Sequence, residues 1–70
     1  MRQFVVRNAS VELIVAARRV EAGTHDVDSF EEALSQCDRP RVQEFLLAKD
    51  RQGATLFPEV IDGDVYVYLE

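Results

Sequence analysis

The chain has 70 residues, 47% of them apolar, and a net charge of −5, which is the composition of one small globular domain at residues 1–70. Its longest apolar run, at residues 13–17, is far shorter than the ~20 residues that a membrane span needs. The single cysteine excludes an internal disulfide. That cysteine, together with the lack of a signal-peptide pattern, favours a cytoplasmic protein. The closing Leu69-Glu70 could be a cloning remnant.

Residues 2–8, RQFVVRN, begin the chain with a predicted strand. Its β-branched and aromatic residues end at a turn-prone asparagine. The next segment, residues 10–22, fits two structures. Ser10 as N-cap and Gly23 after the last turn are typical of a helix. The apolar residues, however, lie around almost the whole helical wheel, and alternate ones share a face in a strand. We favour a strand slightly, paired with residues 2–8.

The clearest element is a helix at residues 28–37. Asp28 can cap its N-terminus, and Glu31 completes a capping box three residues later. Four apolar residues share one stripe of this helix at helical spacing: Phe30, Ala33, Leu34 and Cys37. The stripe predicts that Cys37 is a buried, inert residue rather than a nucleophile with His25 as its base. His25 itself fits a solvated residue of an acidic loop.

A β-hairpin is predicted at residues 54–61 and 64–69, because Asp62-Gly63 suits a type I′ turn. Asp62 and Asp64 therefore define a turn, and the ligand spacing of a calcium loop is absent. The turn fixes which residues share a face. One face is apolar and carries Leu56, Pro58, Val60, Val65, Val67 and Leu69. The other mixes aromatic and acidic side chains and carries Phe57, Glu59, Ile61, Asp64, Tyr66 and Tyr68.

Residues 41–50 are open to two interpretations. As a strand, joined to the hairpin by a four-residue loop at Asp50–Gly53, they would place Glu44 opposite Glu59. The middle strand of the resulting meander would then contain Pro58, which lacks a hydrogen-bond donor. As a helix, they would begin at Pro40, where proline is favoured. In both cases the fold class is α+β, with an antiparallel sheet of three to five strands and one to three helices.

No pair of carboxylates and no Ser/His/Asp set indicates an enzyme, and no cofactor or metal is predicted. The surface that the sequence favours for function is the mixed face of the hairpin. Aromatic residues are enriched where proteins bind one another. We expect a small acidic protein-interaction module that binds a protein partner or self-associates, as a homodimer for example. The interacting residues would be Phe57, Glu59, Ile61, Tyr66 and Tyr68.

An alternative function uses four basic residues, Arg39, Arg41, Lys49 and Arg51. If residues 41–50 are a helix, the order of strand, helices and hairpin resembles that of winged-helix DNA-binding proteins. The resemblance implies that Arg41 opens a recognition helix. The net charge of −5 makes nucleic-acid binding the less favoured function, since an acidic domain repels phosphates.

Overall fold

In the computed structural model, which describes residues 2–23, 26–37 and 39–69, one strand is followed by three helices and a hairpin. The strands are β1 (Arg2–Val6), β2 (Leu56–Ile61) and β3 (Asp64–Leu69), and the helices are α1 (Val11–Glu21), α2 (Val27–Ser35) and α3 (Pro40–Gln52). The strands form an antiparallel sheet in the order β1-β3-β2. The predicted α+β class is confirmed. Within these ranges, no helix has both the length and the apolar content to cross a bilayer.

Residues 11–21 form a helix, so the slight preference for a strand at residues 10–22 is wrong. Both ends of the helix have the capping residues that the sequence indicates, Ser10 and Gly23. The Ser10 Oγ accepts a hydrogen bond from the Leu13 N–H at 3.2 Å, and Gly23 has a φ of 83°. The helix shows no clear apolar stripe because two of its apolar residues, Val11 and Val15, lie on the solvent side and are 73% and 42% exposed.

The predicted helix at residues 28–37 is confirmed, with shifted ends. It runs from Val27 to Ser35, and Asp26 rather than Asp28 is the residue that precedes it. Asp28 instead lies in the first turn, where its negative charge complements the helix dipole. Phe30 and Leu34 are fully buried, as the stripe predicts. Ala33 and Cys37 are only partly buried, and Cys37 lies beyond the end of the helix.

Residues 40–52 form α3, so the interpretation of residues 41–50 as a strand is wrong. Pro40 occupies the start of the helix, as the helical interpretation required. Gly53 ends it in a left-handed conformation with a φ of 61°. The predicted loop at Asp50–Gly53 is therefore a helix end, and no strand places Glu44 opposite Glu59.

β3, not β2, is the central strand, and this resolves the objection raised by Pro58. β2 is an edge strand, where a proline can leave the ladder intact if its missing N–H faces outward. The hairpin register is the predicted one, for example Pro58 opposite Val67 and Glu59 opposite Tyr66. β1 pairs with β3, so its predicted pairing with residues 10–22 is wrong.

The core lies between one face of the sheet and the three helices. Every buried apolar strand residue points to this side, and Phe4 of β1 contacts Phe45 of α3 with ring centroids 5.8 Å apart. Among the described residues, the buried apolar side chains are Val6, Leu13, Ala16, Ala17, Phe30, Leu34, Val42, Phe45, Leu56, Pro58, Val65, Val67 and Leu69. The helices therefore form one layer and the sheet forms the other.

We expect Leu34→Ala to lower the free energy of unfolding by about 2–5 kcal/mol, because it leaves a cavity at a fully buried site. The matched substitution Leu47→Ala, at a residue that is 55% exposed on α3, is expected to change it by about 0.5 kcal/mol or less. Urea unfolding followed by circular dichroism measures both. Equal effects of the two substitutions would contradict the placement of the helices.

Candidate interaction surface

The sheet face opposite the helices is here called the open face. It consists of side chains from all three strands, arranged in rows across the sheet: Gln3, Tyr68 and Phe57; then Val5, Tyr66 and Glu59; then Asp64 and Ile61. Residues in one row lie directly opposite each other on neighbouring strands, so their side chains are close enough to form a continuous surface.

None of the open-face residues is buried by the described part of the chain. Phe57 and Ile61 are exposed at 46% and 44%, and Tyr66 and Tyr68 are half-buried by their neighbours on the sheet. The buried apolar residues of α1 belong to the core on the other side. The possibility that residues 10–22, as a helix, cover the aromatic residues is therefore ruled out.

Glu59 and Tyr68 form the polar centre of the open face. The Tyr68 hydroxyl donates a hydrogen bond to the Glu59 Oε1 at 3.1 Å, between diagonal neighbours on adjacent strands. Desolvation by the surrounding side chains and then this carboxylate raise the pKa of Tyr68 above its usual value. No ion pair neutralises Glu59 among residues 2–23, 26–37 and 39–69. The aromatic surface thus carries an uncompensated negative charge.

Asp64 has a structural role at the margin of the open face. Its Oδ2 lies 3.3 Å from the Arg7 Nη1, and its Oδ1 accepts a hydrogen bond from the Asn8 N–H at 3.0 Å. The Ala9 N–H donates to the Gly63 carbonyl at 3.1 Å. These bonds join the end of β1 to the hairpin turn, in which Asp62 and Gly63 both have positive φ, at 51° and 81°. Both carboxylate oxygens of Asp64 are therefore used to join the end of β1 to the hairpin.

The sequence did not identify Gln3 and Val5 as part of this surface. The sequence predicts a strand at residues 2–8, but it favours pairing of this strand with residues 10–22 and not with β3. The signal that could have found them is the pair of helix-end residues, Ser10 and Gly23, which removes residues 10–22 from the sheet. β1 must then pair with the hairpin.

The four basic residues of the alternative function do not form one cluster. Lys49 pairs with Glu31 and Asp50, and the hydrogen bond to Glu31 raises the pKa of Lys49. Arg39 donates through Nη2 to the Arg7 carbonyl at 2.7 Å. Arg41 and Arg51 are exposed but lie about 15 Å apart along α3, given the helical rise per residue.

Cys37 lies just beyond α2 and is partly buried against the core. Its Sγ lies 3.8 Å from the Ala33 carbonyl, and desolvation raises the pKa of the thiol although Arg39 opposes this. His25, its suggested base, lies outside the described residues. In the part of the chain that the structure describes, no group of three or more His, Cys, Asp or Glu side chains is placed to hold a metal ion.

Comparison with known proteins finds no family model, no curated protein and no solved structure with significant similarity to this chain.

The pKa of Tyr68 can be measured by ultraviolet titration of Tyr66→Phe, which leaves a single tyrosine. We expect it to titrate above the model-compound value of ~10. Adding Glu59→Gln should lower the pKa, because the negative charge beside the phenol is removed while its partial desolvation remains. Folding favours the neutral phenol, so this contribution to stability is lost as the pH rises through the folded-state pKa. An unchanged pKa in the Glu59→Gln variant would contradict the contact.

Iodoacetamide tests the reactivity of Cys37. At neutral pH we expect the folded protein to react more slowly than the same protein in urea, because burial disfavours the thiolate. Arg39→Gln should slow the reaction further, since the arginine stabilises the thiolate. A reaction faster than that of glutathione would indicate an activated nucleophile instead.

Proposed function

We propose that the protein is a non-catalytic interaction module that binds a protein partner through the open face of its sheet. The observation that supports this most is a row-by-row arrangement of Phe57, Tyr66 and Tyr68 on a face that no described element covers. Exposed aromatic residues that share one rigid surface are typical of binding sites. A sheet holds such side chains in place, so little conformational entropy is lost on binding.

Charge indicates the chemistry of the partner. Glu59 lies among the aromatic residues without a cation, and Asp62 is exposed at the end of the same hairpin. The chain as a whole carries −5. A partner surface with apolar side chains surrounded by lysine or arginine would complement this pattern, and its association should weaken as salt increases.

Catalysis does not enter this proposal, because the contacts of Cys37, Asp64 and Lys49 have structural explanations. A cytoplasmic location fits a chain whose one cysteine is a free thiol. No cofactor is needed for binding through a preformed sheet face.

The test is the double substitution Tyr66→Ser with Tyr68→Ser, compared with Leu47→Ser on the helical layer. We expect the double variant to stay folded, at a cost of about 1–2 kcal/mol for lost cross-strand contacts. It should also lose the proteins that the wild type captures from its host extract at low salt, whereas Leu47→Ser retains them. The captured protein is then purified and its affinity for both variants is measured by calorimetry.

Two results would count against the proposal. Unfolding of the double variant would show that the tyrosines belong to the core. Equal affinity of the folded double variant and Leu47→Ser would place the binding surface elsewhere. Sedimentation velocity of the wild type separates the remaining case: a dimer that dissociates in the double variant would identify the partner as a second copy of the chain.

DNA binding is the competing function, and one observation favours it. The elements follow one another as strand, helices and hairpin, the order that resembles winged-helix proteins, and an exposed Arg41 lies in the first turn of α3. Against it, Lys49 and Arg39 are engaged within the chain and the net charge is −5. We expect no shift of duplex DNA even at low salt. A salt-dependent complex lost in Arg41→Gln would support DNA binding instead.

A further inference from the structure

The two edges of the sheet differ in how their backbone groups are protected. On β2, the Val60 N–H faces away from β3 and donates to the Glu21 Oε1 at 2.9 Å. Pro58 faces the same way, because residues two apart in a strand have the same orientation, and it has no N–H to offer. The third outward residue, Leu56, is fully buried. The covered, missing and buried donors together leave this edge with no accessible N–H for an added strand.

The same alternation determines which backbone groups of β1 face outward. Because the Val60 N–H faces away from β3, the backbone groups of Asp64, Tyr66 and Tyr68 are the ones that hydrogen-bond β2. The backbone groups of Val65 and Val67 therefore face β1. Their partners on β1 are Phe4 and Val6. The N–H and C=O groups of Gln3 and Val5 consequently face outward.

Arg7 continues this outward series, and its carbonyl accepts from the Arg39 Nη2 at 2.7 Å, as the alternation requires. Gln3 and Val5 have no such protection. Among the described residues, none donates to or accepts from their outward backbone groups. The free edge of β1 is therefore a short row of two N–H and two C=O groups.

A groove of about 410 Å³ runs along this edge. Its lining consists of the edge itself and the start of α3: Gln3, Phe4, Val5, Arg39 and Arg41. A second groove of about 320 Å³ also includes Phe4 and Arg41, and is completed by Glu44 and Phe45. The two grooves together carry two guanidinium groups and one carboxylate. The positive end of the α3 dipole adds to the positive charge on this side.

We infer that the free edge of β1 binds an extended acidic segment of a partner protein as a fourth strand of the sheet. The outward groups of Gln3 and Val5 supply the backbone hydrogen bonds. Side chains of the added strand would alternate between the two faces of the sheet. Those on the helical side are acidic, because they lie beside Arg41 and Arg39. The bond from Arg39 to the neutral Arg7 carbonyl does not neutralise its positive charge. Those on the other side continue the open face beside Val5 and are apolar.

A second copy of the chain is a poorer occupant. Pairing two β1 edges about a twofold axis would bring two sets of Arg39 and Arg41 together, in subunits that each carry −5. This inference goes beyond the proposed function, because the edge can bind a strand whether or not the open face binds a partner.

The probe is the peptide acetyl-Glu-Val-Glu-Val-Glu-Val-amide, titrated into the ¹⁵N-labelled chain of residues 1–70. We expect amide exchange to slow at Gln3 and Val5, whose N–H groups become hydrogen-bonded, and to stay unchanged at Phe4. Arg41→Gln should weaken binding about fivefold, and the matched Arg51→Gln should leave it unchanged. A peptide with Lys in place of Glu, or one methylated at alternate backbone nitrogens, should bind at least about tenfold more weakly.

Val5→Pro is the decisive variant, because it removes an outward N–H as Pro58 does on the other edge and leaves the ladder to β3 complete. We expect it to remain folded and to lose peptide binding by at least about tenfold. If Val5→Pro is unfolded, Gln3→Pro serves the same purpose.

Several results would overturn the inference: full binding by a folded proline variant, perturbations confined to Phe57 and Ile61 on β2, or equal binding of the lysine peptide. Protection of Gln3 and Val5 that vanishes on dilution of the protein alone would make the occupant a second copy. A duplex DNA that perturbs the same amides more strongly than the peptide would assign the edge to nucleic acid.

Discussion

The alternation of side chains along β3 is the constraint on which the remaining structure depends. β3 is the central strand, so its register determines which side chains of β1 and β2 point toward the helices. Val65, Val67 and Leu69 are at most 3% exposed, whereas Tyr66 and Tyr68 point to the other side. A shift of one residue would exchange the two sets and bury the tyrosines against the helices.

The three helices of the described residues all pack on one face of the three-stranded sheet. A chain of 70 residues has little material for a third layer, which leaves the open face without a covering element in the described structure. The edges are unequal as well. Pro58 and Glu21 close the β2 edge, whereas Arg39 covers only the last carbonyl of the β1 edge. The open face and the free edge adjoin at Val5, so one corner of the sheet concentrates the unpartnered groups.

Local chemistry predicted the hairpin, its register and α2 correctly, because each has a short-range signal: an Asp-Gly turn or an apolar stripe. The sequence failed at residues 10–22, where the exposed Val11 and Val15 hide the helical stripe. It also failed to choose the central strand, because pairing of β1 with β3 joins opposite ends of the chain and leaves no local pattern. The aromatic face could therefore be listed from the turn alone. Its exposure, and the contribution of Gln3 and Val5, required the tertiary structure.

The proposed binding surface requires a sheet with helices on one side and solvent on the other. A neutral gadolinium chelate, added to the isotopically labelled protein, measures this directly through the relaxation of side-chain protons. We expect strong enhancement at Phe57, Ile61, Tyr66 and Tyr68, and little at Val65 and Val67. Similar, weak enhancement on both faces of β3 would contradict it, because it would mean that the tyrosines are covered and the surface is core.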